Sequence, residues 1–363
     1  MNGRERFKAI MNYGTFDHVP AWFFGQWDET YERWKQEGMN PGLPIDVQTG
    51  MDKDWNTGMW KSHGLVNTDP IPLEPPAVLE ETADYRIRRT NVGAVVKEGK
   101  HGSSLAQHLK AAMEPTKADW DRFKKHYDAT DPSRYPQGWE EKAVQLEKRQ
   151  DAFSTLGGSL YATGRDWLGV EEWSCLPFTD PALYEEMIDY TCDFFIQVNT
   201  PMMKKVRFEI AYLFEDCCFN TGPLISPEFY DRFYKKYYRK MTDFFHANGV
   251  DKVLMDSDGK IDQLIPNWLD SGIDILFPVE VGVWGQDPVQ LRRQFGKNLR
   301  MMGGFDKHLI PKGEQAIRES LLRLKPLVEE GGYIPLPDHL IPPHCSWEQF
   351  RTYVKVFKQV FGA

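Results

Sequence analysis

No run of eighteen apolar residues occurs in this 363-residue chain, and its mean hydropathy is −0.54, so the sequence predicts no membrane-spanning helix. The opening M-N-G-R-E-R-F-K-A-I lacks the apolar stretch of a secretory signal, and a cytoplasmic location is expected. Cysteine is scarce: Cys175, Cys192, Cys217, Cys218 and Cys345 are odd in number, scattered, and form no C-x-x-C pair. That set predicts reduced thiols rather than a disulfide framework. Positive charge is also short, with a formal net charge of −9. Nucleic acid is therefore not expected as a partner, because phosphate binding needs a basic face. No G-x-G-x-x-G follows a strand pattern and no G-x-x-x-x-G-K-[ST] occurs, so neither a dinucleotide fold nor a P-loop is supported.

What the chain does contain is a long alternation of strand and helix patterns. Apolar content of 41% is enough for a full core. A helix is expected at 2–12 and a first strand at 17–25. The stretch 28–110 is irregular and rich in Trp, Pro and Gly, with a hairpin predicted where 84–89 and 94–97 flank T-N-V-G. From residue 117 onward the pattern is regular. Strands are expected at 152–156, 208–214, 251–255, 273–279, 299–302 and 332–336, with an eighth between 64 and 73. Helices are expected at 117–126, 137–149, 181–205, 227–248, 260–271, 287–296, 313–329 and 346–361. Strands alternating with helices imply a parallel sheet, and this many units predict an α/β chain folded as a (β/α)8 TIM barrel. A single domain over 1–363 is expected, with the insertion at 28–110 as an N-terminal elaboration over the barrel mouth.

Several polar side chains fall where these strands end. Asp256 and Asp258 lie in V-L-M-D-S-D-G, Glu280 in F-P-V-E-V, and His339 in L-P-D-H-L-I-P-P. Charges just past parallel strands are costly to bury unless they bind something, and barrel chemistry collects on that face. Oxygen and imidazole donors suit Zn2+. Asp258, Glu280 and His339 are the expected metal ligands, and Asp256 is either a fourth ligand or a catalytic neighbour. Read singly, each has a plainer explanation: Asp258 would serve equally as a helix N-cap.

Glu215 and Asp216 follow the 208–214 strand. Adjacent residues on an extended chain point to opposite sides, so one of the two is expected to face the pocket. That residue would act as a general base, bind a substrate hydroxyl, or pair with Arg165 of G-R-D-W; a purely structural Arg–carboxylate pair explains the sequence as well. Trp27, Trp60, Tyr161 and Trp167 sit at strand ends or in loops and are the candidates for gripping a flat apolar ligand. His344-Cys345 is expected in a surface loop outside the site.

Five segments carry a resemblance to a known family: D-H-V-P-A-W-F-F at 17–24, G-P-L-I-S-P-E-F-Y at 222–230, G-I-D-I-L-F-P-V-E at 272–280, M-G-G-F-D-K at 302–307 and G-G-Y-I-P-L-P-D-H-L-I-P-P at 331–343. In these the chain resembles the uroporphyrinogen decarboxylase superfamily, which divides into tetrapyrrole decarboxylases and corrinoid-dependent methyltransferases. The resemblance implies the barrel fold. The decarboxylases carry an arginine motif, R-Q-A-G-R-Y, after the first strand. Here that segment reads F-G-Q-W-D-E-T-Y, without arginine, so a substrate with many carboxylates lacks its clamp.

In the methyltransferase branch, zinc is bound by a His-x-Cys pair, a Glu at the next strand end and a late Cys. Asp256-x-Asp258, Glu280 and His339 occupy those positions with the sulfurs gone. That replacement disfavours a thiol acceptor. The chain resembles instead the methyltransferase component of O-demethylases. The resemblance implies a small-molecule methyl donor, a methoxylated aromatic, and a partner protein whose corrinoid (cobalamin) accepts the methyl group as cob(I)alamin. The alternatives are a tetrapyrrole decarboxylase, a methylcobalamin:acceptor methyltransferase, or a catalytically silent barrel that binds a tetrapyrrole or corrinoid partner. The sequence leaves a homodimer open.

Overall fold

The computed structural model describes residues 1–53, 64–100 and 106–362. Its centre is a six-stranded sheet of β5 (Ser154–Gly158), β6 (Ile210–Phe214), β9 (Lys252–Asp256), β10 (Ile275–Val279), β11 (Arg300–Phe305) and β12 (Tyr333–Pro337), in the spatial order β12-β11-β10-β9-β6-β5. Every pairing in this sheet is parallel. The strands read as uniform apolar runs because both faces are covered: all residues of β9, β10 and β12 are buried. An antiparallel sheet precedes it, made of β1 (Ala77–Glu81), β2 (Tyr85–Arg89), β3 (Val95–Gly99) and β4 (Gln107–Lys110). The predicted hairpin is the middle pair of that sheet. A two-strand ribbon, β7 (Cys218–Phe219) with β8 (Gly222–Pro223), follows β6.

Helices fill the connections where their caps and breakers place them. Pro181–Met203 begins with Pro181 in its first turn, and Asp180 accepts the Leu183 N–H. Trp347–Phe361 opens on a reciprocal cap between Ser346 and Gln349. The predicted helix at 227–248 is two helices, Pro227–Phe233 and Lys235–Ala247, joined at Tyr234. Two short helices that the sequence did not announce, Tyr161–Leu168 and Val170–Thr179, follow β5.

Two expected strands are not strands. Residues 17–25 run as coil, followed by an isolated parallel bridge from Gln26 to Ile341, while 64–73 form bends and coil. Pro20 in the first segment, and Pro70 and Pro72 in the second, lack the N–H that a ladder uses, although β10 carries Pro278 and stays paired. Among the described residues, six parallel strands pair, and no strand pairing joins β12 to β5. The pair His344-Cys345 also differs from expectation. His344 is exposed, but Cys345 is fully buried, and its carbonyl accepts the Trp34 indole N–H at 2.9 Å.

Candidate metal centre

Three strand ends bring the acids together. β9 stops at Asp256, and Ser257 and Asp258 leave it in a loop that turns at Gly259. Gly259 has φ +92°, and a Cβ there would lie 2.9 Å from the Cys218 carbonyl. Only glycine lets this loop pass beneath the β7–β8 ribbon. Its N–H donates to Glu280 Oε2 at 2.9 Å, which ties the end of β10 to the loop after β9. His339 follows β12, and its Nε2 lies 3.0 Å from Asp258 Oδ2. Asp258, Glu280 and His339 each offer a donor atom within 4.8 Å of the others. A second set, Asp216, Asp256 and Asp258, meets the same limit and shares Asp258 with the first.

Asp216 enters the cluster because its backbone is left-handed, with φ +42°. For a non-glycine residue this costs on the order of 1 kcal/mol and commonly marks a functional position. The turn sends the two neighbouring acids to different places. Asp216 Oδ1 accepts the Asp258 N–H at 3.1 Å. Glu215 instead is fully buried at the start of helix Tyr161–Leu168. It accepts the N–H groups of Leu160, Tyr161 and Ala162 at 2.7, 2.8 and 3.0 Å, the Ser159 hydroxyl at 3.2 Å, and the Tyr238 hydroxyl. Its carboxylate is an N-terminal anchor for that helix.

So much negative charge in one place leaves its mark on proton affinity. Burial, and then the nearby Asp258 charge, push the Asp216 carboxyl up to about 6 and Glu280 up to about 7. Asp256 lies well above its ordinary range because it is buried and faces Asp258 and Asp216; the hydroxyl that Tyr212 donates to it pulls the other way. A cluster of carboxylates that repel each other, completed by one imidazole, is the donor set a divalent cation requires. Asp258, Glu280 and His339 could hold a divalent cation, with Asp216 and Asp256 beside them.

The remaining candidates divide. Trp27 lies against the site, its ring 6.2 Å from the His339 ring, and it also lines an open groove of about 620 Å3 with Glu29, Glu32, Arg33, Gly99 and Lys100. Arg165 reaches the cluster by its backbone: Nη1 donates to the Asp216 carbonyl at 2.7 Å. Trp167 does not face the acids. It is packed among Trp120, Phe123 and Tyr127, and its indole N–H donates to the Tyr127 hydroxyl at 2.9 Å. Tyr161 is buried at the helix start with its ring 6.3 Å from that of Tyr234. Trp60 lies outside the described residues. Cys217 and Cys218 are buried and free, and the hydrogen bond with Cys218, then burial, raises the Cys217 thiol far from reactivity.

Three further side chains support the site. Asp338, buried next to His339, accepts the N–H groups of Val281 and Gly282 at 3.0 and 2.8 Å and of Lys307 at 3.2 Å, so it fixes the turn that carries Glu280. Tyr212 holds Asp256. Phe24 stacks at a tilt on both Phe277 and His339, with centroids at 5.1 and 4.8 Å. The motif P-D-H did contain Asp338, but its partners lie 31 to 57 residues away and no local pattern reports them.

An α/β protein with an acid–imidazole cluster past its parallel strands is thus defined. The family model described as uroporphyrinogen decarboxylase (URO-D) matches residues 158–360, more than half of the chain, and the chain belongs to that family. Among solved structures, a methyltransferase from Methanosarcina mazei is similar, with a TM-score of 0.62 over 99% of this chain and 99% of that chain at 13% sequence identity. At that identity the likeness is one of fold. Comparison with curated protein sequences gives no match. Among the described residues, no helix is long and apolar enough to cross a membrane.

Proposed function

We propose that this chain is a zinc-dependent methyltransferase that removes the methyl group of a methoxylated aromatic compound and passes it to the cob(I)alamin of a separate corrinoid protein. The observation that carries the reading is the donor set. Asp258, Glu280 and His339 meet within 4.8 Å with no sulfur among them, which suits activation of an ether oxygen better than capture of a thiolate. When bound, the ion supplies Lewis acidity toward that oxygen, which makes a phenolate a competent leaving group. The chain's own side chains hold the substrate. Phe24 and Trp27 flank His339 and give a flat ring an aromatic surface beside the acids. In the reaction the O–CH3 bond breaks with its electron pair going to oxygen, cobalt contributes the pair of the new Co–C bond, and the phenolate takes up one proton. The nucleophile belongs to the partner, which agrees with the burial of Cys217 and Cys218.

The fold of the M. mazei methyltransferase supports this reading. The family name raises the decarboxylase as the second reading. Against it, F-G-Q-W-D-E-T-Y supplies no arginine, and the guanidinium of Arg165 is engaged by the Asp216 carbonyl. The test incubates the protein with a methyl phenyl ether and reduced corrinoid protein, and measures zinc by elemental analysis. Phenol release and about one zinc per chain are expected, with the zinc lost in Glu280→Ala. Porphyrinogen decarboxylation without phenol release would replace this function with the second reading. A protein with neither activity nor metal would be a binding barrel.

A further inference from the structure

We infer that the cleft beside the acids accepts an uncharged aromatic ring and excludes the same ring bearing a carboxylate; this deepens the methyltransferase reading and rests on it. The starting point is an exception to burial. In β5 only Leu156 is exposed, at 39%, and in β6 only Phe214, at 37%, while β9, β10 and β12 are wholly buried. Leu156 lies in the edge strand of the described sheet and Phe214 at the end of its neighbour, so the open apolar surface sits at that margin of the sheet, beside the strand ends that carry the acids.

The register shows which face is open. Leu156 pairs with Tyr212, Phe214 with Asp256, and Asp256 with Phe277. Direct partners and second neighbours share a face, so these five side chains lie on one side of the sheet. The Tyr212 hydroxyl bonded to Asp256 confirms it. The opposite side is filled by helices: the Thr155 hydroxyl bonds Asn199 at 2.9 Å, and a Cβ at Gly157 would lie 3.3 Å from Phe245. Leu156 and Phe214 therefore open onto the acid-bearing face. Asp256 lies between Phe214 and Phe277 in the register, and from Phe277 the contacts run through Phe24 to His339. An apolar wall on one side and aromatic rings on the other, with the ligand cluster at the end, fit a flat ring whose ether oxygen points to the acids.

Charge decides the rest. The carboxyl groups of Asp216, Asp256, Asp258 and Glu280 already crowd the place a cation would take. Among the described residues, the cations at the cluster have prior partners: Arg165 donates to the Asp216 carbonyl, and Lys307 lies 4.0 Å from Asp338. A ring carboxylate placed against Leu156 and Phe214 would lose its water, gain no partner and face like charge.

The test needs no turnover and no corrinoid protein. Titration calorimetry of the zinc-loaded protein compares 2-methoxyphenol with 4-hydroxy-3-methoxybenzoate, the same ring with a carboxylate added. The uncharged ring is expected to bind at least about tenfold tighter. Leu156→Lys, checked for an unchanged melting temperature, should erase or invert that ratio, and Leu156→Ala should weaken the uncharged ligand alone. Equal or tighter binding of the carboxylate by the wild-type protein overturns the inference, and so does the absence of binding by both. Ring binding without methyl transfer would overturn the proposed reaction while leaving this cleft standing.

Discussion

Replacing Glu215 with alanine should unfold much of the molecule rather than silence it. The carboxylate is fully buried and receives three backbone N–H groups and two hydroxyls, so its removal strands up to five donors without water. An orphaned buried donor costs about 1–3 kcal/mol. If the two hydroxyls rotate to other acceptors, the three amides alone set a loss of roughly 3–9 kcal/mol, a large share of the about 5–15 kcal/mol that holds a typical domain. Glu215→Gln keeps one acceptor oxygen but turns an NH2 toward the same amides, and should lose about 2 kcal/mol. Urea unfolding at pH 7 measures both, with zinc content of the folded fraction as a control. A Glu215→Ala protein that loses under about 1 kcal/mol would refute the anchoring role. Normal stability with abolished turnover would return this residue to the catalytic role that its place after a strand first implied.

Glu280 links metal to pH. In the metal-free protein its carboxyl is raised from 4.5 to about 7, first by burial and then by Asp258. The folded state thus keeps a proton that the unfolded chain releases, and its contribution is fully present below about pH 4.5 and lost as pH rises through 7. Metal-free protein should melt lower at pH 8 than at pH 5.5, and saturating zinc should remove that drop; a flat metal-free profile contradicts the crowding of acids. Asp338→Ala should weaken zinc about 10–100-fold in a competition titration, with partial rescue by Asp338→Asn, because the Val281 and Gly282 amides lose their acceptor. An unchanged affinity would show that the Glu280 turn holds itself. His246 is raised above 6.5, chiefly by its bond to Asp274. Its contribution is full below about 6.5 and fades as pH rises through the folded value, so His246→Gln should lower the melting temperature at pH 5.5 and not at pH 9. Equal losses at both values would assign the effect to packing.

The parallel strands were legible because both of their faces are covered, which turns each into an unbroken apolar run such as V-L-M or I-L-F. Their ends were legible for the opposite reason, since Asp256, Glu280 and His339 interrupt that pattern abruptly. What failed was local propensity under tertiary control. Helix Tyr161–Leu168 contains Gly164, where a Cβ would lie 2.3 Å from the Trp173 ring, so a residue that reads as a breaker is there for close packing. Val170–Thr179 contains Pro177 and escaped notice for a similar reason. The segments 17–25 and 64–73 have strand-like composition, yet neither is a strand of the sheet. The division of labour between Glu215 and Asp216 depends on one left-handed backbone angle and on amides more than fifty residues away. No spacing rule encodes either.

The carbonyl of Ile341 has a consequence for biosynthesis. It accepts the Trp27 N–H at 3.2 Å and the Thr30 hydroxyl at 2.7 Å, across 311 residues in the second case. Nearby, Trp34 closes onto Cys345 and Lys358 onto the carbonyl of Gly50. Residues 27–50 thus wait, without their final neighbours, until residues 341–358 have left the ribosome. His339 emerges just before them, so a nascent chain has no complete set of ligands to load, and trimming either terminus would undo the other.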